Sequence, residues 1–567
     1  MKNVYLLLSL TSCLAMSAQT FEWAKAEGKD AYDYGYGIGC DNQGNVYVAG
    51  KYEEDQADFS GIKVGCQGNH DGFLAKYGPD GTIKWVQTYG GPDGDYNQAL
   101  YCDKTNYVYV AGEIEANSAF NQTIKFSGST TTLVAKADND IVVAKYDLDG
   151  NLIWARSEGG PHSEKALGVA ADKDGNVIIC GYYTESTIIQ GTTFSGKLDH
   201  NIYVAKFDKD GTLLWFKDAG SDKRDEAKAV RCDSDGNIYI CGIFNDNCQF
   251  GSNVLTTYHN TAYWDAFVAK YDPAGNLLWV KTGGGDVTDG AWSMAVDDGH
   301  NVYISGEYAA FADFGGGHQM YAKGMADTYV AKYNTNGDLQ WIKGNGSVDD
   351  DRARGLGTDG THIFITGQFG GTAQFGGASV TAVDTSDIYI AALDNNGSYL
   401  WAVSVGGKKD AFEDLGYESG NAVNGFANGP NGAVYATGGL LDDGVFGTHT
   451  VGTSGTRTNA FVTKISWDTG MPPLSDPTSL NEYTNANMIA VYPNPANGKF
   501  EMDLSQCKDV NIMISVYNHV GQLVSTTTAA AHSYPQVDVS GQAEGIYLVE
   551  VRGENSVLYR NKIIVKH

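Results

Sequence analysis

At 567 residues the chain exceeds one ordinary domain and has room for a large core plus an appendage. Its 68 Asp and Glu against 39 Lys and Arg give a formal charge of −29, which argues against nucleic-acid or anionic-membrane partners needing clustered cations. With 72 Gly, 11 Pro and 12% aromatics, it suits many tight turns between short strands and not a disordered polymer.

The N-terminus, MKNVYLLLSLTSCLAMSAQT, has a basic residue, an apolar run from Val4 to Leu10 and small residues ending at Ala18. That pattern predicts a secretory signal over residues 1–19, too short to span a bilayer and cleaved near Ala18 or Gln19. Leu10-Thr11-Ser12-Cys13 also resembles a lipoprotein cleavage box, in which case Cys13 would carry the lipid. No later stretch is long and apolar enough to be transmembrane.

From Phe21 onward the chain repeats. DAFVAKYDPAGNLLWVK, Asp265 to Lys281, reads as two apolar, aromatic strands joined by a tight turn whose Gly accepts positive φ. Counterparts run over Asp71–Trp85, Asp140–Trp154, Asn201–Trp215, Asp327–Trp341 and Asp387–Trp401. Between them lies a second signature, GNVYVAG at Gly44–Gly50, with later copies closing on Gly112, Gly181, Gly242, Gly306, Gly367 and Gly438. A period of about 60 residues with four short strands per unit predicts a β-propeller and not a helical solenoid. Seven units are present. The mature chain opens with Phe21-Glu22-Trp23-Ala24-Lys25, matching only a last strand, and the seventh unit ends with Asn459–Trp467, matching only a third. The expectation is therefore a seven-bladed propeller over residues 20–467 whose N-terminal strand completes the last blade and removes a free edge. The pattern D-x-F-V-A-K-Y-D…G-N-L-L-W resembles the bacterial SBBP propeller repeats over roughly Phe21 to Trp467, a likeness that implies a fold and little chemistry.

Residues 468–487, rich in Pro, Ser, Thr and Asn, read as a linker. Residues 488–567 alternate short strands and predict a small β-sandwich. Four pieces occur in order there: Tyr492-Pro493-Asn494-Pro495, Val516-Tyr517 leading to Val520-Gly521, Gly545-Ile546-Tyr547-Leu548, and Lys562-Ile563-Ile564-Val565-Lys566. They resemble the type A C-terminal sorting domain of the type IX secretion system. The resemblance implies the type IX machinery as partner and passage through the outer membrane of a Bacteroidota-type bacterium. It also implies removal of the tail, with release or attachment to surface lipopolysaccharide.

Familiar catalytic signatures (HExxH, GxSxG, a P-loop) are absent, and the 11 His are scattered without ligand spacing. Beyond Cys13, the Cys number eight, which would allow disulfides. Cys40, Cys102 and Cys232 share one repeat position, however, and Cys180 and Cys241 another, where other units carry small residues, so they read as core. DxDG turns such as Asp147–Gly150 and Asp172–Gly175 suggest calcium only superficially, since the remaining ligands of a calcium loop are missing, and the expectation is no cofactor. One acid recurs at each unit's entry: Asp33, Asp95, Glu164, Asp225, Asp289 and Asp351, with Asn421 in the seventh. It would form a carboxylate ring at a channel mouth, able to hold a cation, or an architectural set satisfying backbone N–H groups at each strand entry.

Architecture is common to all units, so ligand recognition is sought where the copies differ. One and three residues after the acid stand Tyr34 and Tyr36, Tyr96 and Gln98, Lys165 and Leu167, Glu226 and Lys228, Gly290 and Trp292, Arg352 and Arg354, Ala422 and Asn424. Tyr34, Tyr36, Tyr96, Lys228, Trp292, Arg352 and Arg354 are the candidate binding residues, offering rings to stack and cations to hydrogen-bond a glycan or protein ligand. The expected function is non-catalytic binding or adhesion by a secreted or cell-surface protein. The alternatives are a propeller enzyme acting on extracellular polysaccharide and a structural surface-layer or matrix protein.

Overall fold

The computed structural model describes residues 19–28, 31–53, 57–116, 121–258, 263–383, 386–406, 422–440, 443–452 and 458–467 of a first compact unit, and residues 490–492, 498–504, 511–518, 523–530, 532–543, 545–552 and 557–566 of a second. The units divide between Gly470 and Met471. The expected signal, Cys13, Asn421, Cys507 and the linker from 468 to 487 lie outside the described residues. The single exception is Gln19, which begins a strand.

The first unit is all-β and propeller-like. In one sheet, Asp289–Val296, Val302–Tyr308, Asp327–Tyr333 and Leu339–Asn345 pair antiparallel in chain order. Among the described residues this arrangement occurs seven times, with first strands Tyr34–Cys40, Asp95–Cys102, Glu164–Ala171, Glu226–Cys232, Asp289–Val296, Arg352–Thr358 and Ala422–Asn428. In the last sheet the fourth strand is Gln19–Glu27, which pairs with Asn459–Trp467 from Gln19↔Trp467 to Glu27↔Ala460. First strands pack beside one another in chain order, and Ala422–Asn428 packs beside Tyr34–Cys40.

The repeated residues account for this packing. Where an Asp opens a turn it folds its carboxylate onto its own backbone: Asp272 accepts from Ala274 N at 3.0 Å and Asn276 N at 2.8 Å, and Gly275 takes φ +82°. Asp147, Asp172, Asp208 and Asp233 make the same bonds, so the first carboxylate of each DxDG is engaged by its own turn. The fourth-strand Trp reaches the next sheet's turn. Trp23 donates to Pro79 O at 3.0 Å, Trp154 to Lys209 O at 3.0 Å, Trp215 to Pro273 O at 3.2 Å and Trp279 to Thr335 O at 3.1 Å. Cys40, Cys102, Cys180, Cys241 and Cys248 are buried free thiols within the apolar clusters between sheets.

The acids at the strand entries lie inside the walls, buried to 1% exposure or less. Each accepts backbone N–H groups: Asp33 from Glu53 N, Asp95 from Gly91 N, Glu164 from Gly160 N, and Asp289 from Gly285 N and Ala309 N. Asp225 and Asp351 add the hydroxyls of Ser221 and Ser347. These are the bonds an architectural role requires. Several of them neighbour the acid that opens the preceding sheet's third strand. Burial, and then the Asp140 charge, push Glu164 up to about 9, while burial pushes Asp140 to about 7. Asp289, beside Asp265, is likewise pushed to about 9.

Because the folded chain holds these protons more tightly than the unfolded chain, their stabilisation is complete below about pH 4 and is lost as pH rises through 7 to 9. Asn201 and Asn459 occupy the third-strand position in two sheets, so an amide is compatible with it. Asp140→Asn should remove the like charge beside Glu164 and gain about 1–2 kcal/mol over wild type at pH 9, with little change at pH 5. Urea unfolding at both pH values checks this, and parallel pH profiles would refute it.

In the second unit, Ala490–Tyr492, Lys499–Asp503 and Gln536–Asp538 form one sheet. Leu523–Ala530, Asn511–Tyr517, Gly545–Arg552 and Val557–Val565 form another. Phe500, Met502 and Val537 from the first meet Ile514, Val549 and Ile563 from the second in a shared core.

Candidate functional site

Every first strand carries a β-bulge at the same level. The ladder steps from Gly35↔Gly50 to Gly37↔Ala49 and skips Tyr36. The other six strands skip Gln98, Leu167, Lys228, Trp292, Arg354 and Asn424. A bulge leaves one residue out of the pairing and re-aims its side chain. All seven skipped residues line one cavity of about 1780 Å³. The closing glycine of the adjacent strand is the other half of this device. A Cβ there would meet the carbonyl oxygen just before the bulge, at 1.8 Å for Gly50 and Tyr34, 2.0 Å for Gly242 and Glu226, and 1.7 Å for Gly306 and Gly290. In six of the units the recurring glycine, from Gly50 to Gly367, is required by that close approach.

Six of the seven candidate residues come together in this wall: Tyr34, Tyr36, Lys228, Trp292, Arg352 and Arg354. Tyr34 and Tyr36 stack at 5.9 Å. Trp292 holds two cations against its ring, Lys228 Nζ 4.8 Å and Arg354 Cζ 4.5 Å from the centroid. Arg352 pairs with Asp350 at 2.8 Å. Tyr96 is not among the lining residues. It packs on the His70 ring at 5.2 Å with Lys51 Nζ 4.9 Å over its own ring, and the same Lys51 lies 5.4 Å from the ring of Tyr34. None of the acids of the entry series lines the cavity; their carboxylates are turned to backbone amides.

Glu226 is the centre of the polar wall. Fully buried, it accepts from His200 Nδ1 and Arg224 Nε, each at 2.6 Å, and contacts Lys228 Nζ. Burial alone would raise its pKa. The Lys228 charge, the His200 hydrogen bond and Arg224 overrule that and hold the carboxyl well below the usual range. Lys228 is lowered by burial against the opposing pull of Glu226. His200 stacks on Tyr182 at 3.8 Å, and Arg224 Cζ stands 5.6 Å from the Trp264 ring. A parallel cluster joins Lys165 to Glu113 at 2.5 Å, with Gln98 donating to the same Glu at 3.2 Å.

Arg224, His200, Tyr182, Trp264 and Glu113 escaped the sequence reading, although a signal was present. Tyr182 and Glu113 directly follow a closing glycine, and His200 and Trp264 directly precede a third strand's opening Asn or Asp. Both positions differ from unit to unit.

In the second unit, Tyr492 ends the first strand and Gly545 begins another, pairing with Val565. Tyr547 is buried with its hydroxyl donating to Ala543 O at 2.8 Å, and Lys562 pairs with Leu548 in the ladder. Pro493, Asn494, Pro495 and Gly521 lie outside the described residues.

Comparison with known proteins bears on both units. The chain is 26% identical over 359 residues to an uncharacterised WD repeat-containing protein of Acanthamoeba polyphaga mimivirus, covering 56% of this chain and 25% of that one. It is 26% identical over 145 residues to the regulatory protein FlaEY of Caulobacter vibrioides, covering 25% of this chain and 15% of that one. The chain thus spans a quarter or less of these relatives. Among solved structures, Sqt1 of Chaetomium thermophilum aligns at TM-score 0.35 and 10% identity over 79% of this chain and 99% of its own. A Dyadobacter fermentans protein of unknown function aligns at 0.36 and 8% over 80% and 100%. WD repeats are propeller units, in keeping with the propeller-like sheets. No helix among the described residues is long and apolar enough to cross a membrane. Residues 490–566 match the secretion system C-terminal sorting domain. The C-terminal unit is therefore a type IX sorting domain addressed to that machinery, and the protein is secreted or attached to the cell surface.

Proposed function

We propose that residues 20–467 form a closed seven-bladed propeller that binds a glycan or protein ligand, without catalysis, in the cavity ringed by the bulged residues. The observation that carries this reading is the ring itself. Seven strands share one backbone distortion, and the side chains it presents are Tyr, Gln, Leu, Lys, Trp, Arg and Asn. The bulge sets the backbone and leaves the displayed side chains free to differ, as a recognition surface requires. Closure is supported by the pairing of Gln19–Glu27 with Asn459–Trp467, and by Trp23 making to Pro79 the bond that Trp154, Trp215 and Trp279 make to their following sheets. The sorting unit supports an extracellular setting for such a cavity.

A glycan array and a peptide screen on the secreted full-length protein test the proposal. A ligand is expected whose binding falls by about tenfold or more in Tyr36→Ala and in Trp292→Ala, with melting temperatures near wild type. Binding indifferent to both variants overturns the cavity assignment, and turnover of a bound polysaccharide by the wild type overturns the non-catalytic reading.

A further inference from the structure

The ring is lopsided. Lys228, Trp292 and Arg354 come from three consecutive sheets, whereas Asn424, Tyr36 and Gln98 come from three others, and Leu167 stands between the arcs. The charge of the wall also runs against that of the molecule. Six Lys and Arg but only four Asp and Glu line the cavity, in a chain where acids outnumber those cations 68 to 39. Two of the six have donors to spare. Arg354 makes no hydrogen bond to the described residues, and its nearest carboxylate, Glu307, lies 3.9 Å away. Arg231 donates only to Val230 O, at 2.7 Å, with no acid in ion-pair range among the described residues.

We propose that this cavity binds an acidic saccharide, with a sugar carboxylate seated on the Lys228–Trp292–Arg354 arc and the neutral sugar faces against Tyr36 and its neighbours. The inference rests on the cavity being the binding site and specifies what it takes. Arginine's planar fork matches a carboxylate, and the Trp292 ring, flanked by cations from the sheets on either side, fixes both cations in place. The volume of about 1780 Å³ exceeds that of a site for one small molecule and suits an oligomer of several rings.

An acidic peptide fits less well, for two reasons. The acids interleaved with the cations, Glu307 and Asp349 among them, would repel carboxylates packed along an extended peptide, whereas they can accept from sugar hydroxyls. The bulges also interrupt every first strand at the level of the ring, so an added peptide strand would find no regular ladder there.

The test is calorimetric titration of the full-length protein with oligogalacturonate, oligomannuronate and hyaluronan oligosaccharides, each alongside its carboxyl-reduced form, and with hexaglutamate. At least one acidic oligosaccharide should bind about tenfold or more tightly than its reduced counterpart. Arg354→Gln should abolish that preference, and the exposed-surface change Lys209→Gln should leave it intact. Added salt should weaken the acidic ligand more than the reduced one. Parity between acidic and reduced forms for all three overturns the proposal, as does tighter binding of hexaglutamate. If a reduced oligosaccharide binds equally and Tyr36→Ala abolishes it, the anion assignment falls while the binding cavity stands.

Discussion

Alanine in place of Gly306 is expected to destabilise the first unit by about 3 kcal/mol or more, because the new Cβ would lie 1.7 Å from the carbonyl oxygen of Gly290. That carbonyl belongs to the backbone and is fixed by the bulge that skips Trp292, so it has no rotamer to escape into. Relief would require straightening the bulge, which would slip the register between Ala291 and Ser293 and turn Trp292 out of the cavity wall. A loss of melting temperature should therefore come with a change in the Trp fluorescence of whatever folded protein remains. Gly377→Ala is the control: a Cβ there meets nothing within 4 Å, and the expected change is within about 0.5 kcal/mol. Equal stabilities of the two variants, read by denaturant unfolding, would remove the link between closing glycine and bulge.

The second large effect is expected at Glu226. Gln in its place keeps the shape but leaves Lys228, Arg224 and His200 around a neutral amide, and removing one member of a buried charged cluster costs about 3 kcal/mol. Because Glu226 is held well below its ordinary pKa, its contribution is present above the unfolded value and is lost as pH falls through and below that range. Wild type should therefore outlast Glu226→Gln clearly at pH 7 and only slightly at pH 3. A deficit that is the same at both values would show that the loss is one of packing and not of charge.

Much of the first unit was legible because its signals are local. Val, Tyr and Phe alternate in a strand period, Asp-x-x-Gly marks the turns, and the copies are regular enough to count. The seven sheets, the turn bonds, the half-buried Trp and the buried Tyr follow from that. The sorting tail was legible as a set of ordered motifs. The bulge was hidden, because one extra residue in a run of glycine and alanine leaves no mark on an alternation that the small residues already blur, as in Tyr34-Gly35-Tyr36-Gly37. Ranking positions by how they differ still reached all seven bulged residues. Tyr96 holds the same position as Tyr34 and Arg352, which do line the cavity, and differs from them only through the fold, where its ring packs on His70 beside Lys51. The entry acids could not be placed in advance, since a carboxylate facing solvent and one capping backbone amides look alike in a sequence. Glu226 with Arg224 and His200 joins side chains from two strands and a preceding loop, a meeting that only the fold creates.

The pairing of bulge and glycine also has a consequence for how this surface can change over time. The backbone at the ring positions is shaped by the glycines opposite, while the displayed side chains answer to neighbours such as Glu226 beside Lys228 and Glu113 beside Gln98. The side chains of the ring can then be exchanged together with those neighbours while the glycines keep the fold. Related chains that keep the glycines and exchange the ring would share a shape and differ in what they hold.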